Sequence, residues 1–292
     1  DPLFPDQWYL PHIGVTEAWK HTRGSRKVIV ALIDTGIDYR HPELRDNIWV
    51  NPGEIPDNGI DDDHNGFIDD VHGWDFVDDD NDPSPVPPCR VPVYYTHGTA
   101  MASIIGAAGN NGLGMTGVCW EVSLMCLRAI PEDLDNPNAR ITDKAPIIRY
   151  AVAMGAQIIC YASGQGRYDA DNVQAIQEAG ERGVLLVAAA GNAGTDVDLH
   201  PLYPACYPLP NILSILATNR KDGLIRALID RGEIFTNYGR TRIKAGMSGT
   251  SIVQAYPTDQ REPYHTSYDT SSATALATGV VALVKSANPR LS

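Results

Sequence analysis

The sequence of 292 residues has no apolar run that approaches the roughly 20 residues of a membrane-spanning helix, so no membrane span is expected. It also has few basic residues, because 23 Lys and Arg stand against 36 Asp and Glu for a formal net charge of −13. A chain of that charge repels nucleic-acid phosphates. Composition therefore argues against nucleic acid as a partner.

Cysteine is scarce as well, with five in the chain and none in a CxxC pair or beside a pair of histidines, which excludes the usual zinc signatures. The odd number leaves at least one thiol without a partner in the chain. Cys160 lies in an apolar run, which favours a buried thiol over a catalytic one. One disulfide, between Cys119 and Cys126, is expected.

An initial Met and a signal peptide are missing, since the chain begins at Asp1. We interpret the sequence as a mature, secreted fragment from which targeting and pro-segments have been removed. Its length allows one or two domains, and we expect a single domain over residues 1–292. Residues 51–88 are polar and rich in Asp, Gly and Pro, which indicates a surface insertion and not a domain boundary.

Short apolar runs alternate with helical patterns along the chain. The predicted strands cover residues 27–33, 123–127, 157–162, 184–190 and 212–217, and the predicted helices cover 97–108, 146–154, 173–182 and 272–287. Such alternation is typical of a mainly parallel sheet covered by helices on both faces. The predicted fold class is therefore α/β.

Three residues at the ends of these elements have the chemistry of a nucleophilic site. Asp34 follows a buried strand in DTGID, His97 starts the segment HGTAMAS, and Ser271 lies at a predicted helix start in DTSSATALATG. A serine needs a base to take its proton, and the base needs a partner that fixes its tautomer. Backbone N–H groups at a helix start suit a developing oxyanion. Each residue alone is an ordinary turn or capping residue, so their order carries the prediction.

These segments resemble those of the subtilisin-like serine proteases, the subtilase family. VIVALIDTGIDYRHPEL, HGTAMASIIGA and TSSATALATGVVAL follow the Asp, His, Ser order of that family's triad. A fourth block, LLVAAAGNAG, resembles the segment with the oxyanion-hole asparagine, which falls on Asn192. The resemblance implies a three-layer fold and a serine endopeptidase with Ser271 as nucleophile, His97 as general base and Asp34 as its orienting partner.

The resemblance also implies what the enzyme acts on and what accompanies it. Protein or peptide substrates are expected, together with a cleaved pro-segment that serves as inhibitor and chaperone. Family members continue further beyond the nucleophile than this chain does. We therefore expect the chain to lack a terminal helix or to be one piece of the mature enzyme.

Two positions depart from the family's Gly-Thr-Ser-x-Ala-x-Pro pattern, because Asp269 replaces the Gly and Ala275 replaces the Pro. Neither position supplies catalytic atoms. A more literal Gly-Thr-Ser ends at Ser251, but the residues after it, IVQAYP, do not form a helix of small residues. We therefore expect Ser251 not to be the nucleophile.

By resemblance, two segments form the walls of the primary specificity pocket. One wall is Tyr161, Ala162, Ser163 and Gly164, and the other is Ala189, Ala190 and Gly191. Small walls predict an open pocket for large apolar or aromatic side chains, and the absence of acids argues against Lys or Arg. Residues 132–140 carry three acids that either attract basic substrate residues further from the cut or form a solvated loop.

The acidic insertion predicts a calcium site. Residues 61–70 place oxygen ligands at alternate positions with Gly66 at the sixth, like the front half of an EF-hand, although His72 replaces the Glu at position twelve. The predicted ligands are Asp61, Asp63, Asn65, the carbonyl of Phe67, Asp69 and Asp70. A solvated acidic loop is the alternative.

A second calcium site rests on the resemblance alone. It would join Asp1, Glu43 and the loop at residues 110–115, with ligands from Asn111, Leu113 and Met115. Glu43 stands where the family usually has Asp.

Two rival functions remain open on the same fold. Asp269 and Ala275 support a calcium-binding interaction module with a disabled site. A peptide ligase or macrocyclase would have to keep water from the acyl-enzyme, and no cap insertion is visible near Ser271.

Overall fold

The computed structural model of the protein describes residues 1–87, 92–131, 144–229 and 232–291. The strands are β1 (Gly24–Asp34), β2 (Gly73–Asp75), β3 (Glu121–Arg128), β4 (Ile158–Tyr161), β5 (Leu185–Ala189), β6 (Ile212–Thr218), β7 (Arg226–Ile229), β8 (Gly232–Phe235), β9 (Ala245–Ser248), β10 (Thr250–Ala255) and β11 (Tyr264–Tyr268). The α-helices are α1 (Tyr9–His12), α2 (Val15–Ala18), α3 (Pro92–Gly106), α4 (Lys144–Ala153), α5 (Ala170–Glu181) and α6 (Thr270–Ala287), with 3-10 turns at Phe4–Asp6 and Arg45–Asn47. Among the described helices, none has the length and apolar character that crossing a bilayer requires.

A parallel sheet of seven described strands forms the centre of the molecule, in the order β2-β3-β1-β4-β5-β6-β9. Both neighbours of β1 follow it in the chain, so the winding direction reverses at that strand. Ligand sites of open α/β sheets lie at the carboxyl ends of the strands where such a reversal occurs. Asp34, the last residue of β1, therefore lies where the topology favours a site.

Successive β1 side chains alternate between the two faces of the sheet, as a strand requires. Val30 and Leu32 belong to one apolar cluster, together with residues of α3 and α6. Ala31 and Ile33 belong to a second cluster, with residues of α4 and α5. Helices thus cover both faces, and the predicted three-layer α/β fold is confirmed.

Among the predicted helices, the one at residues 97–108 differs most from the structure at its start. Helix α3 begins at Pro92, so His97 lies inside the helix and not at its first residue. Pro suits the first turn of a helix, where its missing N–H would have no helical acceptor.

The predicted disulfide between Cys119 and Cys126 is wrong, since both thiols are free and buried, as are those of Cys160 and Cys206. Cys126 lies in β3 and Cys119 precedes that strand. A strand rises about 3.3 Å per residue, so their Cα atoms are much further apart than the roughly 7 Å that a disulfide tolerates. The buried thiol predicted for Cys160 is confirmed.

Candidate active site

Asp34 is a buried carboxylate with a titratable partner. It is 1% exposed, and its Oδ1 accepts hydrogen bonds from His97 Nδ1 at 2.7 Å and from the Thr35 N–H at 2.8 Å. Within the described residues, its Oδ2 has no hydrogen-bond partner. A buried charge is costly without compensation. The His97 imidazole is therefore the group placed to compensate it.

Two glycines let the His97 helix approach the end of β1 this closely. A Cβ on Gly98 would lie 2.1 Å from the carbonyl oxygen of Gly36, which no side chain tolerates. Gly36 has a φ of +104°, a conformation that glycine adopts without strain. The Gly98 N–H also donates to Thr35 Oγ1 at 3.0 Å. Residues 34–36 (DTG) and 97–99 (HGT) therefore pack closely against each other.

The electrostatic surroundings of His97 favour its protonated form. Burial lowers the pKa of His97, but the charge of Asp34, its hydrogen bond and the weaker effect of the Asp269 charge together raise the pKa above the ordinary value. The imidazole side chain remains 18% exposed. A base that becomes positive during a reaction is stabilised by these carboxylates.

Ser271 is the second residue of α6, where sequence analysis predicted a helix start. The side chain is 7% exposed, and its Oγ donates to the carbonyl of Ala162 at 2.8 Å. No hydrogen bond joins Ser271 to His97 in the described part of the chain. Hydrogen bonds between catalytic groups are often absent or long before substrate binds.

The two departures from the family pattern are both accommodated in α6. Asp269 is the N-cap of the helix, and its Oδ1 accepts from the Ser272 N–H at 2.7 Å. Carboxylates are among the preferred N-caps, because they satisfy N–H groups that have no helical acceptor. Ala275 is fully buried within the helix. Neither residue disrupts the element that carries Ser271.

Asn192 has its side chain oriented by the start of α6. Its Oδ1 accepts from the Thr270 N–H at 2.8 Å, which leaves Nδ2 as the available donor. The Gly191 N–H donates to Thr270 Oγ1 at 3.3 Å. The asparagine segment and the serine segment are therefore joined by two hydrogen bonds, each from a backbone N–H of one segment to a side-chain oxygen of the other.

Asn237 was not singled out in the sequence, yet it holds the segment that carries Asn192. It is 4% exposed, and its Nδ2 donates to the Ala190 carbonyl at 2.7 Å. Its Oδ1 accepts from the N–H groups of Ala193 and Thr195 at 3.0 and 2.9 Å. A lone asparagine in a polar loop gives no sequence signal for such a role.

The two predicted pocket walls are neighbouring strand ends. Strands β4 and β5 pair in parallel, with Tyr161 opposite Ala188. Tyr161 and Ala189 end these strands, and both are buried, as are the residues that directly follow them, Ala162 and Ala190. Ser163, Gly164 and Gly191, further along each segment, are accessible to solvent. Residues 132–140, whose acids were expected either to attract basic substrate residues or to form a solvated loop, lie outside the described residues.

Ser251 lies in a different environment from Ser271. It belongs to β10, has a φ of +50°, and its Oγ donates to Tyr268 Oη at 3.0 Å. No helix directly follows β10 in the described residues, so Ser251 lacks the free backbone N–H groups that the first turn of α6 provides near Ser271.

The predicted calcium loop is a network of carboxylates that accept backbone N–H groups. Asp61 accepts from the N–H groups of Asn65 and Gly66 at 3.0 and 2.9 Å. Asp69 accepts two backbone N–H groups from an earlier turn, at 3.1 and 2.9 Å. Gly66 has a φ of +96°, as the sharp turn requires. Asp61 and Asp69 are therefore engaged by protein donors.

Three other carboxylates of the insertion converge, because Glu54, Asp63 and Asp70 offer oxygens that all lie within 4.8 Å of one another. Glu54 was not among the predicted ligands. Asn65 joins the cluster through Nδ2, which donates to Asp63 at 3.2 Å and to Asp70 at 2.9 Å. Phe67, predicted to offer its carbonyl, anchors the loop by its ring, which packs against Trp74, Phe76 and Tyr150.

The residues of the second predicted calcium site lie around Glu43, which is fully buried. Its carboxylate accepts from the Met115 N–H at 2.9 Å, from Asn111 Nδ2 at 3.0 Å and from Tyr264 Oη at 2.9 Å. Burial raises the pKa of Tyr264, and the charge of Glu43 raises it further, so the phenol remains a donor. Both carboxylate oxygens of Glu43 therefore have protein donors.

Asp1 contacts the loop at residues 110–115, which also contacts Glu43. Its carboxylate accepts from the backbone N–H groups of residues 110–112 at 2.8 to 3.1 Å. The Leu113 N–H donates a hydrogen bond to Asn111 Oδ1 at 2.8 Å. Calcium at this junction stays a prediction.

Comparison with known sequences gives one family. A sequence model of the subtilase family matches residues 25–292. Thermitase of Thermoactinomyces vulgaris is 31% identical over 288 residues, which cover 98% of this chain and 85% of thermitase. The halolysin-like extracellular serine protease Nep of Natrialba magadii is 30% identical over 295 residues, which cover 100% of this chain and 46% of that protein. The chain spans about half the length of several such relatives.

A solved structure of the subtilase cytotoxin SubAB is similar in fold. It covers 97% of this chain and 83% of its own, with a TM-score of 0.71 at 23% sequence identity. An identity this low supports the fold alone. Sequence and structure comparisons thus agree with the resemblance that the four sequence blocks carry.

Proposed function

Because the chain belongs to the subtilase family of serine peptidases, we propose that it is the catalytic domain of a secreted endopeptidase that hydrolyses peptide bonds through an acyl-enzyme on Ser271. The observation that carries the proposal is the 2.7 Å hydrogen bond between His97 Nδ1 and Asp34. That bond fixes the tautomer in which Nε2 is free to act as a base.

In the proposed reaction, His97 Nε2 accepts the Ser271 proton as Oγ attacks the scissile carbonyl carbon. Asp34 stabilises the imidazolium that forms, and His97 then gives the proton to the leaving amine. Water activated by the same imidazole hydrolyses the acyl-enzyme. A substrate N–H that bound the Ala162 carbonyl would release the Ser271 hydroxyl from its present acceptor.

The oxyanion would lie between Asn192 Nδ2 and the Ser271 N–H. The Thr270 N–H and Asn237 support this arrangement, because they fix the other polar atoms of the Asn192 segment. Donors that are already oriented before the reaction need no reorganisation as the negative charge develops.

A calcium ion at Glu54, Asp63 and Asp70 is part of the proposal. Calcium prefers oxygen ligands, and these carboxylates would repel one another without a cation. Asn51 and Asn65 each donate to both Asp63 and Asp70, so the cluster already attracts donors from two sides. The ion would stabilise the folded insertion and would take no part in the reaction.

Secretion and a removable inhibitory pro-segment are proposed from the family resemblance. The Natrialba relative is described as extracellular, which supports the location. Protein or peptide substrates follow from the proposed reaction.

Hydrolysis of a mixed peptide library by three proteins tests the proposal. The unaltered chain and Ser251→Ala should both cut peptides, and Ser271→Ala should cut none. Products analysed by mass spectrometry would distinguish hydrolysis from ligation. A folded chain that cuts nothing would favour the interaction module with a disabled site, which Asp269 and Ala275 suggest.

A further inference from the structure

The two predicted walls of the primary pocket face each other with Leu202 between them. A Cβ on Gly164, in the first wall, would lie 2.7 Å from Leu202 Cδ2. A Cβ on Gly191, in the second wall, would lie 2.7 Å from the same atom. One methyl group of Leu202 therefore contacts both walls, and the small residues of the walls leave room for it.

The backbone around Leu202 is fixed. Tyr203, the next residue, exchanges two backbone hydrogen bonds with Gln165, each of 2.8 Å. The Leu202 carbonyl accepts from the Cys206 N–H at 3.0 Å. The rings of Tyr203 and Tyr207 stack with centroids 4.5 Å apart. Moving Leu202 out of the gap by a backbone shift would break these contacts.

Leu202 does not belong to the buried core of the described residues. It is only half-buried, whereas the neighbouring walls continue into buried strands. A half-buried apolar side chain that lies against a glycine of each wall is placed to meet whatever enters the pocket between them. The open pocket expected from the sequence is therefore partly filled by a side chain from a third segment.

We propose that Leu202 closes the bottom of the primary pocket and restricts the residue before the cleaved bond to small side chains such as Ala, Ser or Gly. This inference rests on the proposed function, because it names the substrates of the same site. A Phe or Leu side chain would compete with Leu202 for the space between Gly164 and Gly191.

Cleavage of peptides that differ only in the residue before the cut tests the inference. For the unaltered chain, kcat/KM for the Ala peptide should exceed kcat/KM for the Phe peptide at least tenfold. Apolar pockets discriminate between side chains by roughly 10- to 200-fold. Leu202→Gly should raise the ratio of kcat/KM for the Phe peptide to kcat/KM for the Ala peptide at least tenfold. Leu202→Ala should raise the same ratio by less. Leu199→Ala is the matched control, because Leu199 lies nearby in the chain but is 72% exposed.

A second measurement does not depend on catalysis. Calorimetry on Ser271→Ala proteins, with and without Leu202→Gly, would compare binding of peptides that end in Ala or Phe. The same shift toward Phe is expected, and equal melting temperatures would show that the variant is folded. Activity without any shift in either ratio would overturn the role of Leu202 and leave the peptidase intact. A binding shift without hydrolysis would support the pocket and contradict the proposed reaction.

Discussion

Two regions of the molecule bury carboxylates, and they compensate the charge differently. At the proposed triad, Asp34 faces one titratable partner, because His97 donates to it at 2.7 Å. In the insertion, Glu54 is 8% exposed and accepts three backbone N–H groups, while Asp63 and Asp70 lie beside it. The first arrangement responds to protons, since histidine titrates near neutral pH. In the described part of the chain no histidine contacts the second cluster, where Tyr150 donates to Asp70, so this cluster should respond to cations.

The difference implies that activity and stability are separable in this protein. A change at the triad should alter the rate and leave the fold in place. A change in the insertion should alter the melting temperature and leave the rate in place. The following substitutions are designed to break one region at a time.

Replacing the triad carboxylate should give the largest effect. Asp34→Asn keeps the shape of the side chain but favours the wrong tautomer of His97, so kcat should fall about 10⁴-fold. The control is Asp46→Asn, since Asp46 is 65% exposed and should not matter. Rates and melting temperatures of both variants check the prediction, and a loss of less than tenfold for Asp34→Asn would mean that His97 is oriented by another group.

The oxyanion donor should give the next largest effect. Asn192→Leu removes the Nδ2 donor and should reduce kcat by about 10² to 10³ with little change in KM, the size measured for the equivalent donor in subtilisin. Steady-state kinetics on one peptide substrate check this. Near-normal turnover would show that Asn192 does not face the developing charge.

The insertion should affect stability and not rate. Glu54→Gln combined with Asp63→Asn should lower the calcium content by one ion. Chelation should then lower the melting temperature of the unaltered chain more than that of the variant, which keeps the site predicted at Glu43. The free energy involved is about 2.7 kcal/mol when calcium is a hundred times its Kd. Asp61→Asn is the informative comparison, because Asp61 accepts backbone N–H groups and lies outside the converging cluster.

Calorimetry and metal analysis separate the outcomes for the insertion. Loss of the ion in Asp61→Asn instead would restore the EF-hand-like ligand set expected from the sequence. Unchanged calcium content in all variants, with the same melting temperature in chelator, would make the insertion a solvated acidic loop.

The smallest expected effect concerns the acidic side of the pH profile. His97 must be neutral to act as a base, and carboxylates that raise its pKa make activity fall at a higher pH than an ordinary histidine would. Asp269→Gly removes one of these charges, so the pKa should fall and the acidic limb should move to lower pH. An unchanged midpoint in a kcat/KM profile would show that the Asp269 charge is screened from His97.

The sequence predicted the family, the class of hydrolase and the α/β fold with its mainly parallel sheet, and these predictions are confirmed. Asp34, His97 and Ser271 were accessible to such reasoning because each lies in a segment whose glycines or small residues are needed for close contact. The site roles themselves remain predictions until the variants are measured.

The roles of other residues could not be predicted from the sequence, because they depend on contacts between segments that are distant in the chain. Glu54 reaches Asp63 and Asp70 only after the chain has turned back on itself. Asn237 and Leu202 come from loops that are distant in sequence from one or both of the segments they contact. The sequence could suggest the walls of the proposed pocket, but not the role proposed for Leu202, which comes from a third segment.

Covalent labelling tests the central claim most directly. A fluorophosphonate reacts with an activated serine, and digestion followed by mass spectrometry locates the adduct. We predict one adduct on Ser271, lost in Ser271→Ala, retained in Ser251→Ala and strongly slowed in Asp34→Asn. An adduct on Ser251, or none on a folded chain, would contradict the assignment of Ser271 as the nucleophile.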